Sequence, residues 1–159
     1  MTKINIIEGF DSACPVPKMV RAAGLNYRVA VIQDTYRADK VDMYFDLSLW
    51  EHILEFASKF GENVSIVQLN GESEVKPDTV IEALREMEEV DQEPPEFILL
   101  RHGQELVLCI ATEYWAHIGG PMPYHDSYTY SLFSKHNITE NVRTFLTEAA
   151  ASQDWEIHY

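Results

Sequence analysis

Apolar positions along this chain recur at two spacings, and the spacing names the element. Alternation of period two marks strands, and recurrence every three to four residues marks helices. Val-, Ile- and Tyr-rich runs bounded by turn residues predict strands at 3–8, 26–35, 63–69, 96–102, 105–116, 127–134 and 155–159, with a short optional one at 40–45. Pro15-Val16-Pro17 opens a short helix that closes near Gly24.

Three longer helices are predicted. The first covers 47–60, with Trp50, Ile53, Leu54, Ala57 and Phe60 on one face and Gly61 as its C-terminal cap. Asp46, or Ser48 with Glu51 three residues on, supplies the N-terminal signal. A second covers 78–90 through Val80, Ile81, Leu84 and Met87. The third covers 138–151, where Ile138, Val142, Phe145, Leu146 and Ala149 line one side and Asn137 with Glu140 resembles a capping box.

Between these, Phe97 to Leu100, the turn-like Arg101-His102-Gly103-Gln104 and Leu106 to Ile110 predict a β-hairpin. Leu106, Leu108 and Ile110 are expected on one face, with Val107, Cys109 and Ala111 on the other. A strand apolar on both faces belongs in the middle of a sheet covered from both sides. The expected fold class is α+β: a mostly antiparallel twisted sheet of about six to seven strands, with three amphipathic helices packed on it. A single domain over residues 1–159 is expected.

Charge changes what the chain can be asked to do. Lys and Arg number 12 against 26 Asp and Glu, a formal net charge of −14. Nucleic acid and anionic membrane, which are held by Lys and Arg, are therefore disfavoured as partners. Neither Gly-x-Gly-x-x-Gly nor a Gly-Lys-Ser/Thr loop occurs, so no nucleotide cofactor is expected. Residues 1–8 hold too few apolar positions for a signal peptide, and no 18-residue apolar run exists, so a cytoplasmic location is expected. Cys14 and Cys109 form no C-x-x-C pair. A disulfide is not expected; Cys109 reads as a buried thiol, and Cys14 as a loop residue.

The excess is concentrated. Residues 1–40 carry a net +2, residues 41–98 carry −12, and residues 99–159 carry −4. Glu51, Glu55 and Glu62 fall opposite the apolar stripe of the first helix, and Glu82, Glu86 and Glu89 opposite that of the second. Repeated like charges at this spacing cost roughly 0.2–0.5 kcal/mol per pair, and only Lys59 and Arg85 lie on these helices to relieve them. Such a surface serves as a solubilising face, as a field that draws in a basic protein, or as a cation site. No calcium-loop spacing accompanies it.

The least ordinary segment is Glu113-Tyr114-Trp115-Ala116-His117-Ile118-Gly119-Gly120-Pro121-Met122-Pro123-Tyr124-His125-Asp126-Ser127-Tyr128-Thr129-Tyr130-Ser131. Two glycines and two prolines predict a stiff loop that displays Tyr124, His125 and Asp126 between two strands. Aromatics held rigidly beside acids suit a protein-binding anchor. The same stretch offers His117, His125 and Asp126 as a metal or acid/base cluster, with Glu113 and Ser127 nearby. His-x7-His matches no standard metal motif. Tyr128, Tyr130 and Leu132 are expected inward on their strand, with Ser127, Thr129 and Ser131 outward.

The run from Glu113 to Ser131, in a small acidic α+β chain, resembles bacterial immunity proteins of polymorphic and contact-dependent toxin systems. That resemblance implies a protein that neutralises a cognate toxin domain by binding it, without catalysis. It transfers no binding residues. The leading expectation is thus an inhibitor of a basic toxin domain, such as a nuclease, acting through Glu51, Glu55, Glu82, Glu86, Glu89, Tyr124, His125 and Asp126, with no cofactor. The alternatives are a small metal-assisted hydrolase centred on His117, His125 and Asp126, or an acidic adaptor subunit.

Overall fold

Strands from both ends of the chain meet in one mixed sheet. In chain order they are β1 (Thr2–Glu8), β2 (Tyr27–Arg37), β3 (Asn63–Gln68), β4 (Gly71–Val75), β5 (Phe97–His102), β6 (Glu105–Ile118), β7 (Tyr124–Ser134) and β8 (Trp155–His158). The helices are α1 (Lys18–Ala22), α2 (Leu47–Ala57) and α3 (Thr139–Ala150). The computed structural model describes residues 2–10, 16–37, 47–57, 59–60, 63–68, 71–75, 82, 97–118, 124–153 and 155–158.

Across the sheet the order is β4-β3-β5-β6-β7-β2-β1-β8. Neighbours are antiparallel except β1 and β8, which run parallel. The fold is α+β, and all seven strands that the hydrophobic pattern predicts are present. β4 is the addition: Gly71-Glu72-Ser73-Glu74-Val75 offers no apolar alternation, which an edge strand does not require. The optional strand at 40–45 lies outside the described residues. So does the predicted helix at 78–90, apart from Glu82, which is helical.

One face of the sheet packs against α2 and α3. Ile4, Ile6, Val29, Val31, Ile98, Leu100, Leu108, Ile110, Tyr128, Tyr130 and Leu132 rise from the strands. They meet Leu49, Ile53, Leu54, Phe56 and Ala57 of α2, and Val142 and Leu146 of α3. The predicted apolar face of α2 omitted Leu49 and Phe56, both buried. A void of about 10 Å³ remains between these layers, lined by apolar side chains including Val31, Phe56, Leu132 and Phe145.

A second core lies on the opposite face, under α1. Val20, Leu25, Leu99, Cys109 and Phe133 form it. The helix ends in a hydrogen-bond pattern that explains the Gly24 signal: Leu25 N donates to Val20 O at 3.1 Å and Gly24 N to Arg21 O at 3.2 Å. This pair of bonds requires a left-handed residue after the C-cap, and Gly24 has φ 72°. β6 is therefore central and covered on both sides, as its doubly apolar sequence predicts.

Leu106 departs from prediction. The β5–β6 register slips between Leu100 and Arg101: Leu100 faces Leu108, but Arg101 faces Leu106. The extra residue on β6 forms a bulge, which reverses the facing of what precedes it. Leu106 thus joins the α1 side rather than the face of Leu108 and Ile110. Beyond the bulge, Gly103 turns the hairpin at φ 63°. Gly103→Ala should lower stability by about 1–2 kcal/mol, the cost of a left-handed non-glycine residue. A denaturant midpoint unchanged by this substitution would refute that conformation.

Two further details differ from the sequence pattern. Asn137 does accept from Thr139 N through Oδ1 at 3.0 Å, but Glu140 turns instead to Arg143 at 2.8 Å. The expected reciprocal cap is therefore only half made. Ser131 does not face solvent either; it is 7% exposed and its hydroxyl accepts from Arg28 Nε at 3.1 Å. Arg28 Nη1 also donates to Gly9 O at 2.8 Å, tying β1, β2 and β7 together beneath the hydroxyl-bearing face.

Candidate functional site

Burial of one side of α2 decides what its other side presents. Leu49, Ile53, Phe56 and Ala57 occupy about 100° of the helix, so Glu51 and Glu55 stand on the far side, one turn apart. Glu55 is exposed and Glu51 half-buried. Glu82 is exposed as well. Glu86 and Glu89 lie outside the described residues, as do Glu62, Gly61 and Cys14.

The C-terminal end of α2 carries an aromatic junction that the sequence pattern left unremarked. His52 meets the Trp155 ring edge-on at 5.2 Å and Phe145 at 6.5 Å. Phe56 packs on both Phe60 and Phe145, and the Lys59 ammonium sits 5.1 Å from the Phe145 ring centre. This binds the acidic helix to α3 and β8, so Glu51 and Glu55 stand on a braced surface.

Tyr124, His125 and Asp126 are not loop residues. They open β7, which has partners on both sides: Tyr124, His125 and Asp126 pair with Ile118, His117 and Ala116 of β6 and with Arg37, Tyr36 and Thr35 of β2. Both strands of this hairpin run further than their apolar alternation indicates. Residues 119–123 of the expected stiff loop lie outside the described residues, as do the side chains of 114–118 and 124–126. Backbone pairing brings His117 and His125 into direct opposition and sets Asp126 one position off their row. Adjacent residues in a strand belong to opposite faces. The register therefore sets the two histidine positions on one face of the sheet and the Asp126 position on the other.

Next to this row the core-side face turns polar. Gln33 is 1% exposed, the Tyr130 hydroxyl lies 3.5 Å from its Oε1, and Tyr128 stacks parallel to Tyr130 at 6.3 Å. The predicted inward direction of Tyr128, Tyr130 and Leu132 is correct. Gln33 is not a candidate from sequence, because it meets Tyr130 only through the pairing of β2 with β7, roughly a hundred residues away in the chain.

Among the described residues no three His, Cys, Asp or Glu side chains converge on a metal-sized space. None of the described helices is long and apolar enough to cross a membrane. No family model, curated protein or solved structure matches the chain.

Proposed function

We propose that this chain is an inhibitor that binds a basic protein domain through its acidic surface and so neutralises it. The partner class that fits is a toxin domain whose own substrate is anionic, such as a nuclease. The observation that carries this reading is the concentration of charge: residues 41–98 hold a net −12, and α2 turns Glu51 and Glu55 outward while its other side is committed to the core. Clustered charge of one sign accelerates capture of an oppositely charged partner by ten- to a thousandfold. Nucleic acid is repelled by the same field, so the reading is of a protein–protein contact. Tyr124, His125 and Asp126, at the rim of the β6–β7 hairpin, are its second proposed contact.

The experiment is co-purification with the product of the adjacent gene, followed by association kinetics at two salt concentrations. Capture of that product, suppression of its activity and an association rate that falls steeply with salt are the expected results. Absence of binding, together with no protection of cells from that product, would sink the reading. Replacing Glu82, Glu86 and Glu89 together by lysine should slow association at least tenfold and change dissociation much less. A variant that dissociates faster but associates normally would place these acids in a short-range contact instead.

A further inference from the structure

Among the described residues, β4 and β8 close the two ends of the sheet, and each has a neighbouring strand on one side only. The open side of such a strand is a row of backbone N–H and C=O groups that another extended segment can join. Side chains at the edge decide which segments are admitted. Two copies of one edge strand can pair antiparallel about an axis perpendicular to the sheet. Opposed residues then belong to the same face, so the pairing is centred on a residue rather than between two.

For β4, Gly71-Glu72-Ser73-Glu74-Val75, this pairing is unfavourable. Centred on Glu72, Ser73 or Glu74, it sets glutamate opposite glutamate. β8 reads Trp155-Glu156-Ile157-His158, and the outcome reverses. Pairing centred on Ile157 sets each Glu156 opposite the other copy's His158, twice over by symmetry. Both side chains are exposed, and within one chain His158 Nε2 already lies 3.3 Å from Glu156 Oε1. Opposed positions have Cβ atoms about 4.5–5.5 Å apart, closer than the roughly 6.6 Å between alternate positions of one strand that this contact spans. An imidazole donates to a carboxylate when neutral, and protonation adds charge attraction.

The other face of β8 points the same way. Trp155 and Ile157 pack on the main core but stop half-buried. Pairing about Ile157 lays each Ile157 against its counterpart and covers apolar surface that the core leaves open. β8 is also held in place without a partner: it runs parallel to β1 over Thr2–Asn5, and the His52 ring meets Trp155 at 5.2 Å.

We propose that the open side of β8 is an interface between two copies of this chain, joined antiparallel about Ile157 into one continuous sheet with the helices of both copies on one side. The contact is self-complementary and closes on itself, so assembly stops at the dimer. The acids of β4 keep the opposite end of the sheet from extending it. This interface goes beyond the inhibitor reading and does not depend on it.

The test is sedimentation equilibrium of the full-length chain. Physiological salt screens the net charge of −14 on each copy beyond about 8 Å. Over about 1 μM to 1 mM protein, a monomer–dimer equilibrium with no larger species is expected. His158→Glu gives β8 the charge pattern of β4 and should weaken dimerisation about tenfold or more. Adding Glu156→Lys to His158→Glu restores opposite signs across the seam, and should return the affinity to within about threefold of the unmodified chain. That recovery distinguishes a seam from a misfolded variant. Amide exchange over residues 155–158 should slow as concentration rises, and exchange over 71–75 should not. A monomer at every concentration would overturn the interface, as would a dimer indifferent to His158→Glu or a double variant as weak as the single one. Concentration-dependent protection at 71–75 in place of 155–158 would overturn it too.

Discussion

Replacing Phe133 by alanine should remove about 3–5 kcal/mol of stability, the range for deleting a buried aromatic ring. Phe133 is fully buried, and it is where α1, β6 and the segment after β1 come together. Its neighbours are Val20 and Leu25 from around α1, and Leu99 and Cys109 from the sheet. The Phe10 ring also tilts against it at 5.9 Å between centres. Five residues of helix cannot hold themselves in water, so α1 exists because this ring gives it something to cover. Urea unfolding followed by tryptophan fluorescence would measure the loss, and a change under 1 kcal/mol would refute the second core. Loss of amide protection over residues 18–25 before global unfolding would identify α1 as the part released first.

Cys109 sits in the same core and gives the second large effect, this time in pH. Burial pushes its thiol from the ordinary 9.0 up to about 12. Below pH 9 the thiol is protonated whether the chain is folded or not, and it contributes no pH dependence. Between pH 9 and 12 the unfolded chain releases this proton while the folded chain retains it. The unfolded state then binds fewer protons, so stability falls as pH rises, by about 1.4 kcal/mol per pH unit, or about 4 kcal/mol across the window. Tyrosines and lysines titrate in the same range, so the quantity to compare is the slope of wild type against Cys109→Ala. The variant should lose stability less steeply above pH 9. Parallel slopes would mean that the thiol reaches water in the native state.

These two residues also show what was legible in advance. The alternation at 105–111 identifies Cys109 as buried and its strand as central, because a strand apolar on both faces has no other place to go. Helical periodicity likewise placed α2 and α3 to within a few residues. What escaped depends on pairing between distant segments. Leu106 changes face because of one inserted residue opposite Arg101, and nothing in the local alternation marks a bulge. β4 carries no apolar alternation to mark it, since a strand at an edge can be polar along most of its length.

The candidate site divides along the same line. Helical spacing alone puts Glu51 and Glu55 opposite the core, and the structure agrees. For His117, His125 and Asp126, closeness in sequence suggested a cluster, whereas strand geometry separates Asp126 from the two histidines. Ser131 was expected in solvent because a hydroxyl commonly is, and it is instead covered by the guanidinium of Arg28 from that same neighbouring strand.

The position of β2 beside β7 also bears on how the chain reaches this fold as it is made. Once β1 and β2 have paired, the other flank of β2 is an open row of backbone donors and acceptors until Tyr124 to Ser134 arrive to cover it. At roughly 5–20 residues per second the ribosome needs on the order of 5–20 s to supply that stretch. Any state in which β1 and β2 have paired before Tyr124 to Ser134 arrive therefore offers that flank to the wrong strand.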